Sequence, residues 1–108
     1  MREGSIQSKI LDYLNSIPHC MAENVSGNAS QSGRADISAC YKGVYLKLEV
    51  KGGTEGYEAT RQQQLYLRMW ELAGAKVAVI RSVKDVKRVL ELIDSGRAEY
   101  IKEEFPCG

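Results

Sequence analysis

Apolar positions along the chain repeat with two periods, one helical and one of strands. In residues 3–17, EGSIQSKILDYLNSI, Ile6, Ile10, Leu14 and Ile17 fall on one stripe with Tyr13 beside it. That spacing predicts an amphipathic helix, which Pro18 ends. The following MAENV is a short candidate strand, and SGNASQSG reads as a loop by composition. Two alternating runs come next, 35–41 and 44–51, separated by Lys42-Gly43 as in a hairpin. After the glycine-rich GGTEGYEAT, residues 60–73 predict a helix that Gly74 caps. KVAVI, 76–80, reads as a short buried strand. Ser82 and Asp85 resemble a capping box opening a third helix, with Val83, Val86, Leu90 and Ile93 inward and Gly96 at its end. The tail, 97–108, has no clear period. The order α-β-β-β-α-β-α predicts a single α/β domain over 1–108, with a mixed sheet of about four strands flanked by helices.

Composition narrows the function classes only slightly. The 108 residues are 44% hydrophobic and 27% charged, with a net charge of +1. No global basic field announces a nucleic-acid partner, so any such surface has to be local. Cys20, Cys40 and Cys107 fit no zinc spacing and read as free thiols in a reducing compartment. No secretory leader or membrane-spanning run stands out, which makes the cytoplasm the expected location. Nothing suggests an organic cofactor.

The hairpin carries the chemistry. A two-residue turn at Lys42-Gly43 sets Tyr41 opposite Val44, Ala39 opposite Leu46 and Ile37 opposite Leu48. Val44, Leu46, Leu48 and Val50 then face a core, and Tyr45, Lys47, Glu49 and Lys51 face the other way. The same register places Asp36 opposite Glu49, with Cβ atoms about 5 Å apart. Opposed carboxylates repel, and a hard divalent cation such as Mg²⁺ or Mn²⁺ offsets that repulsion. Held there, it would acidify a bound water and stabilise charge building on a phosphate. Lys51 could orient that water or meet the charge as a point cation, and Lys47 and Arg34 could hold a phosphate backbone. The alternative is a solvated strand face with balanced charges.

The residues G-x-x-D at 33–36 and E-x-K at 49–51 resemble the PD-(D/E)XK nuclease core. More narrowly, the chain resembles a standalone virus-type replication–repair nuclease (VRR-NUC) domain. Glu3-Gly4-Ser5-Ile6-Gln7 is similar to that family's E-x-x-I-Q opening. Gly33-Arg34-Ala35-Asp36-Ile37 is similar to its G-R-P-D-I motif, with Ala35 in place of proline. QQLYLRMWELAG is similar to its helix in which a glutamine lies eleven residues before a glycine, and VAVIRSVKDV to its closing strand-turn-helix. The resemblance runs from Glu3 to about Leu92.

It implies a restriction-endonuclease-like fold and a Mg²⁺- or Mn²⁺-dependent endodeoxyribonuclease acting on structured DNA. Standalone viral and phage members resemble Holliday-junction resolving homodimers. By the resemblance, the metal ligands are Asp36, Glu49 and the main-chain carbonyl of Val50, with Glu3 as a further candidate. The catalytic set is Asp36, Glu49, Lys51, Gln63 and Glu3. Gln63 follows from the spacing to Gly74, and Gln62 or Gln64 takes its place if the helix phase differs by one. From the residues alone, Glu3 is also an N-terminal charge favoured by the helix dipole. Arg34, Lys47 and Arg61 are the DNA-contact candidates. Arg68, Lys84, Lys87 and Arg88 are open to DNA contact or to a solvated helix face. His19 reads as a loop residue and Cys40 as a small half-buried thiol. Flap, nick or single-strand cleavage is the alternative activity, and a non-catalytic DNA-binding or assembly module the alternative class. Tyr66, Trp70, Tyr100, Ile101 and Phe105 suggest a dimer interface, with 99–105 as an exchanged element.

Overall fold

The computed structural model describes residues 3–25, 37–52 and 59–107, the side chain of Glu3 excepted. The elements are α1 (Glu3–Ser16), β1 (Cys20–Asn24), β2 (Ile37–Tyr41), β3 (Val44–Val50), α2 (Arg61–Leu72), β4 (Lys76–Ile80) and α3 (Val83–Asp94). A 3₁₀ turn (Ala98–Tyr100) and the short α4 (Ile101–Glu104) close the chain. The predicted order holds, and the tail adds the last two elements.

One four-stranded sheet runs in the order β1-β2-β3-β4. β1 with β2 and β2 with β3 pair antiparallel, and β4 lies parallel to β3. The hairpin register is the predicted one: Ile37 pairs with Leu48, Ala39 with Leu46 and Tyr41 with Val44. Lys42 and Gly43 both take positive φ, 50° and 86°. That is the type I′ geometry whose twist matches the strands it joins, and it explains why glycine serves at the second position.

Helices cover both faces of the sheet where β3 and β4 run side by side, and this fixes the site. On one face, Ile6, Ile10 and Leu14 of α1 pack with Val86, Val89 and Leu90 of α3 over Leu46, Leu48 and Val50. On the other, α2 sets Leu67 against Val77, with Trp70 and Val79 at the margin. The sequence predicts an open polar face for β3 there, and α2 instead closes over it. Lys47 and Glu49 are 4% and 1% exposed. KVAVI carries the reason, because Val77 and Val79 alternate with Ala78 and Ile80 and so both of its faces need cover.

The tail returns to its own domain. Ile101 is buried in the main core, and Val79 N donates to Phe105 O at 3.2 Å along the free side of β4. The expected surplus of apolar tail residues is thus largely used within the chain, although Tyr100 stays 46% exposed. Arg88 of α3 fastens α4 through a two-pronged contact, its Nε and Nη2 each 2.8 Å from a Glu104 carboxylate oxygen. Hydrogen bonding from Arg88 holds the Glu104 carboxyl below the usual carboxylate range. A carboxyl with a lowered folded pKa stabilises the fold above its unfolded value and loses that contribution as the pH falls through the folded one. The tail should therefore loosen on acidification below about pH 4. Glu104→Gln should lower the urea midpoint at pH 7 and lower it less at pH 3. An equal loss at both pH values would show packing, rather than charge, at work.

Candidate active site

Glu49 lies near the end of β3, on the face under α2, and its position follows from strand alternation. Leu48 and Val50 point into the α1–α3 core, so Glu49 points the other way. A lone carboxylate at 1% exposure would be costly, and two side chains meet it. Gln63 Nε2 donates to Glu49 Oε2 at 2.8 Å. Lys51 Nζ stands 3.6 Å from the same oxygen and is 12% exposed.

Gln63 is aimed by the helix start. Thr60 is the N-cap, and its hydroxyl accepts from Gln63 N at 3.1 Å. The Gln63 carbonyl oxygen accepts from Thr60 N at 2.8 Å, completing a capping box. With Oε1 committed to the cap, the amide NH₂ is left pointing at Glu49. Gln64 Nε2 instead donates to Ala59 O, and Gln62 is exposed. Of the three glutamines, the structure brings Gln63 to the carboxylate, as the spacing to Gly74 predicts.

Lys51 is positioned from β4. Its backbone N donates to Ile80 O at 2.9 Å, which extends the parallel ladder past Val50. Arg81 Nη1 then donates to Gly52 O at 2.8 Å and ties the chain after the E-x-K run to the end of β4. Ser82 and Asp85 supply the turn, with a difference from prediction. The Ser82 hydroxyl caps Asp85 N, but the Asp85 carboxylate accepts from Arg81 N, not from Ser82. That contact steadies the residue that holds Gly52.

Lys47 needs a correction. Expected to face solvent and a phosphate backbone, it lies buried beneath α2. Its Nζ donates to Ser38 Oγ at 2.6 Å and sits 4.2 Å from the centroid of the Trp70 ring. The rings of Tyr45 and Tyr66 lie at 5.5 and 6.0 Å. The sequence signal for this cation–π seat was the pairing of an inward Trp70 with the lysine row, which periodicity alone does not connect. Arg61 is exposed in the first turn of α2, as its expected contact with DNA requires. His19 is exposed in the turn after α1. Cys40 is exposed as well, not half-buried.

Asp36, Arg34 and the Glu3 side chain lie outside the described residues, so the expected opposition of Asp36 to Glu49 does too. Among the described residues no group of three His, Cys, Asp or Glu side chains is placed to hold a metal ion. The donor chemistry at Glu49 fits a hard divalent cation, since it is a carboxylate in a water-poor site. Among the described residues no helix is long and apolar enough to cross a membrane.

No protein-family model matches the chain, and no curated protein does. A solved structure described as a VRR_NUC domain is similar to it, with a TM-score of 0.67 and 24% sequence identity. The likeness covers 82% of this chain and 94% of that one. By this superposition the chain has the fold of a VRR_NUC domain.

Proposed function

We propose that the chain is a divalent-metal-dependent DNA endonuclease that hydrolyses phosphodiester bonds in branched DNA, working as a homodimer on Holliday junctions. The observation that carries this reading is the buried Glu49 carboxylate, held by Gln63 and flanked by Lys51 at the end of the parallel β3–β4 pair. Ligand sites gather outside the carboxyl ends of parallel strands. A structural ion pair needs neither full burial nor a helix-capping glutamine aimed at it.

In this reading Asp36, Glu49 and the Val50 carbonyl hold Mg²⁺ or Mn²⁺, with Glu3 as a further ligand. The bound ion supplies an acidified water and neutralises phosphate charge. Gln63 fixes the Glu49 rotamer, so the carboxylate does not have to be ordered when substrate arrives. The Lys51 ammonium orients the attacking water and meets the charge that develops on the phosphate. Arg34 and Arg61 steady the DNA backbone. Lys47 takes no phosphate, since its ammonium is spent on Ser38 and Trp70. Two such sites on one particle would allow paired cuts in a four-way junction.

Cleavage of a panel comprising a junction, a flap, a nicked duplex and a single strand, with Mg²⁺ and with Mn²⁺, tests the proposal. Paired cuts in the junction, by a particle of about twice the 12.0 kDa chain mass, are the expected result. Preference for the flap or single strand by a monomer would replace junction resolution with the second reading. The aromatic surface beside Tyr45 favours that second reading. No cleavage of any substrate with either ion would leave the non-catalytic module.

A further inference from the structure

The strand that presents Glu49 also presents an aromatic patch at its other end. Tyr45 shares the sheet face of Lys47 and Glu49, and it is 39% exposed. The Trp70 ring stands beside it, with centroids 5.4 Å apart and planes inclined by 46°. Tyr66 meets Trp70 edge-on at 6.4 Å. Beyond Tyr45 this face of the sheet leaves the shelter of α2. There β1 and β2 present Met21, 77% exposed, and Cys40, also exposed. Met21, Glu23, Ser38, Cys40 and Tyr45 line a shallow cavity of about 240 Å³.

We propose that this patch stacks an unpaired nucleobase of the DNA strand whose phosphate reaches Glu49. The proposal rests on the nuclease reading above and adds a substrate-binding subsite to it. From Tyr45 to Glu49 is four residues of β3, about 13 Å; α2 covers the face between them, so a strand reaches both by passing around that cover over a few nucleotides. The exposed ring of the patch is Tyr45, backed by Trp70, and rings stack on any base without reading its sequence. That suits an enzyme selecting structure. Lys47 lies against the Trp70 ring and holds it in place without offering a charge to solvent. Glu23, exposed on the same face, disfavours a phosphate inside the cavity, so the base enters and the backbone stays at the rim. A protein partner fits less well. Glu23 and Ser38 interrupt the apolar surface, and interface cores are depleted of charge.

Trp70 is the single tryptophan of the chain, so its fluorescence reports on the patch directly. The full chain is titrated in EDTA, where no metal-dependent cleavage occurs, with an eight-residue dT strand and with an abasic strand of the same phosphate number. The dT strand should quench Trp70 and bind about 5-fold tighter or more than the abasic strand, the contribution of one stacked base. Tyr45→Ser should erase that difference while abasic binding stays as in the wild type, and Tyr45→Phe should retain it. Equal affinity and equal quenching by the two strands would overturn the proposal, as would a Tyr45→Ser variant that still distinguishes them. Quenching that grows with protein concentration alone, with no response to DNA, would also overturn it and assign the patch to a second copy of the chain. Because the titration excludes metal, its outcome is independent of the cleavage panel that tests the nuclease reading.

Discussion

Glu49→Gln should reduce metal-dependent DNA cleavage by about 10³-fold or more, with the fold intact. The magnitude follows from charge. Metal ions supply several kcal/mol of transition-state stabilisation, and each 1.36 kcal/mol is tenfold in rate. The substitution keeps the shape of the side chain and removes the anionic oxygens that would hold the ion. It should not unfold the protein. The Gln63 amide can turn its partner role to the new side chain, and Lys51, at 12% exposure, retains contact with water. The measurement is thermal stability with and without Mg²⁺, beside the cleavage rate. At 100 times Kd a bound ion stabilises by about 2.7 kcal/mol, roughly 10 °C in a domain of this size. The wild type should show that rise and Glu49→Gln should lose most of it. Asp36→Asn should behave in the same way if the two carboxylates share one ion. The same rise with Mg²⁺ in all three proteins would sink the shared site.

Lys51→Ala should leave the Mg²⁺-dependent stabilisation nearly unchanged and lower turnover by about 10²-fold, the typical cost of removing one donor aimed at developing charge. It takes away a cation and no ligand, so the loss belongs in kcat rather than in the Mg²⁺ concentration giving half-maximal rate. Glu49 would still have the Gln63 amide, so the buried carboxylate is not stranded. Lys51→Arg should recover little, because a planar fork cannot occupy the place of a compact ammonium 3.6 Å from Glu49. Turnover close to wild type in Lys51→Ala would return this lysine to a purely structural ion pair.

The hairpin was legible because two independent signals agreed. Alternation paired Leu46 with Ala39 and Leu48 with Ile37, and Lys42-Gly43 supplied a turn of the right hand. Gln63 was singled out by the family resemblance, whose glutamine-to-glycine spacing points from Gly74 to it. What alternation could not say was whether the polar face of β3 meets water or another layer. A strand reading K-x-E-x-K is the same string in both cases. The deciding information lay elsewhere, in the two-faced apolar pattern of β4 and in Leu67 and Trp70 on α2. Lys47 was misplaced for that reason: its partners, Ser38, Tyr66 and Trp70, lie 9 to 23 residues away and no local period links them. The tail was illegible for a similar cause. Its order comes from the Arg88–Glu104 contact and from Phe105 along β4, both made across the fold.

β3 is paired on both edges and, from Leu46 to Val50, buried on both faces. The residue at the heart of the site therefore belongs to the part of the chain that opens last. Edge strands, turns and termini can fray while β3 stays closed, because releasing Glu49 means breaking two ladders and uncovering two helix layers at once. Denaturant should then silence the protein only when the whole domain gives way, and a mutation that softens β3 would trade away the fold together with the chemistry.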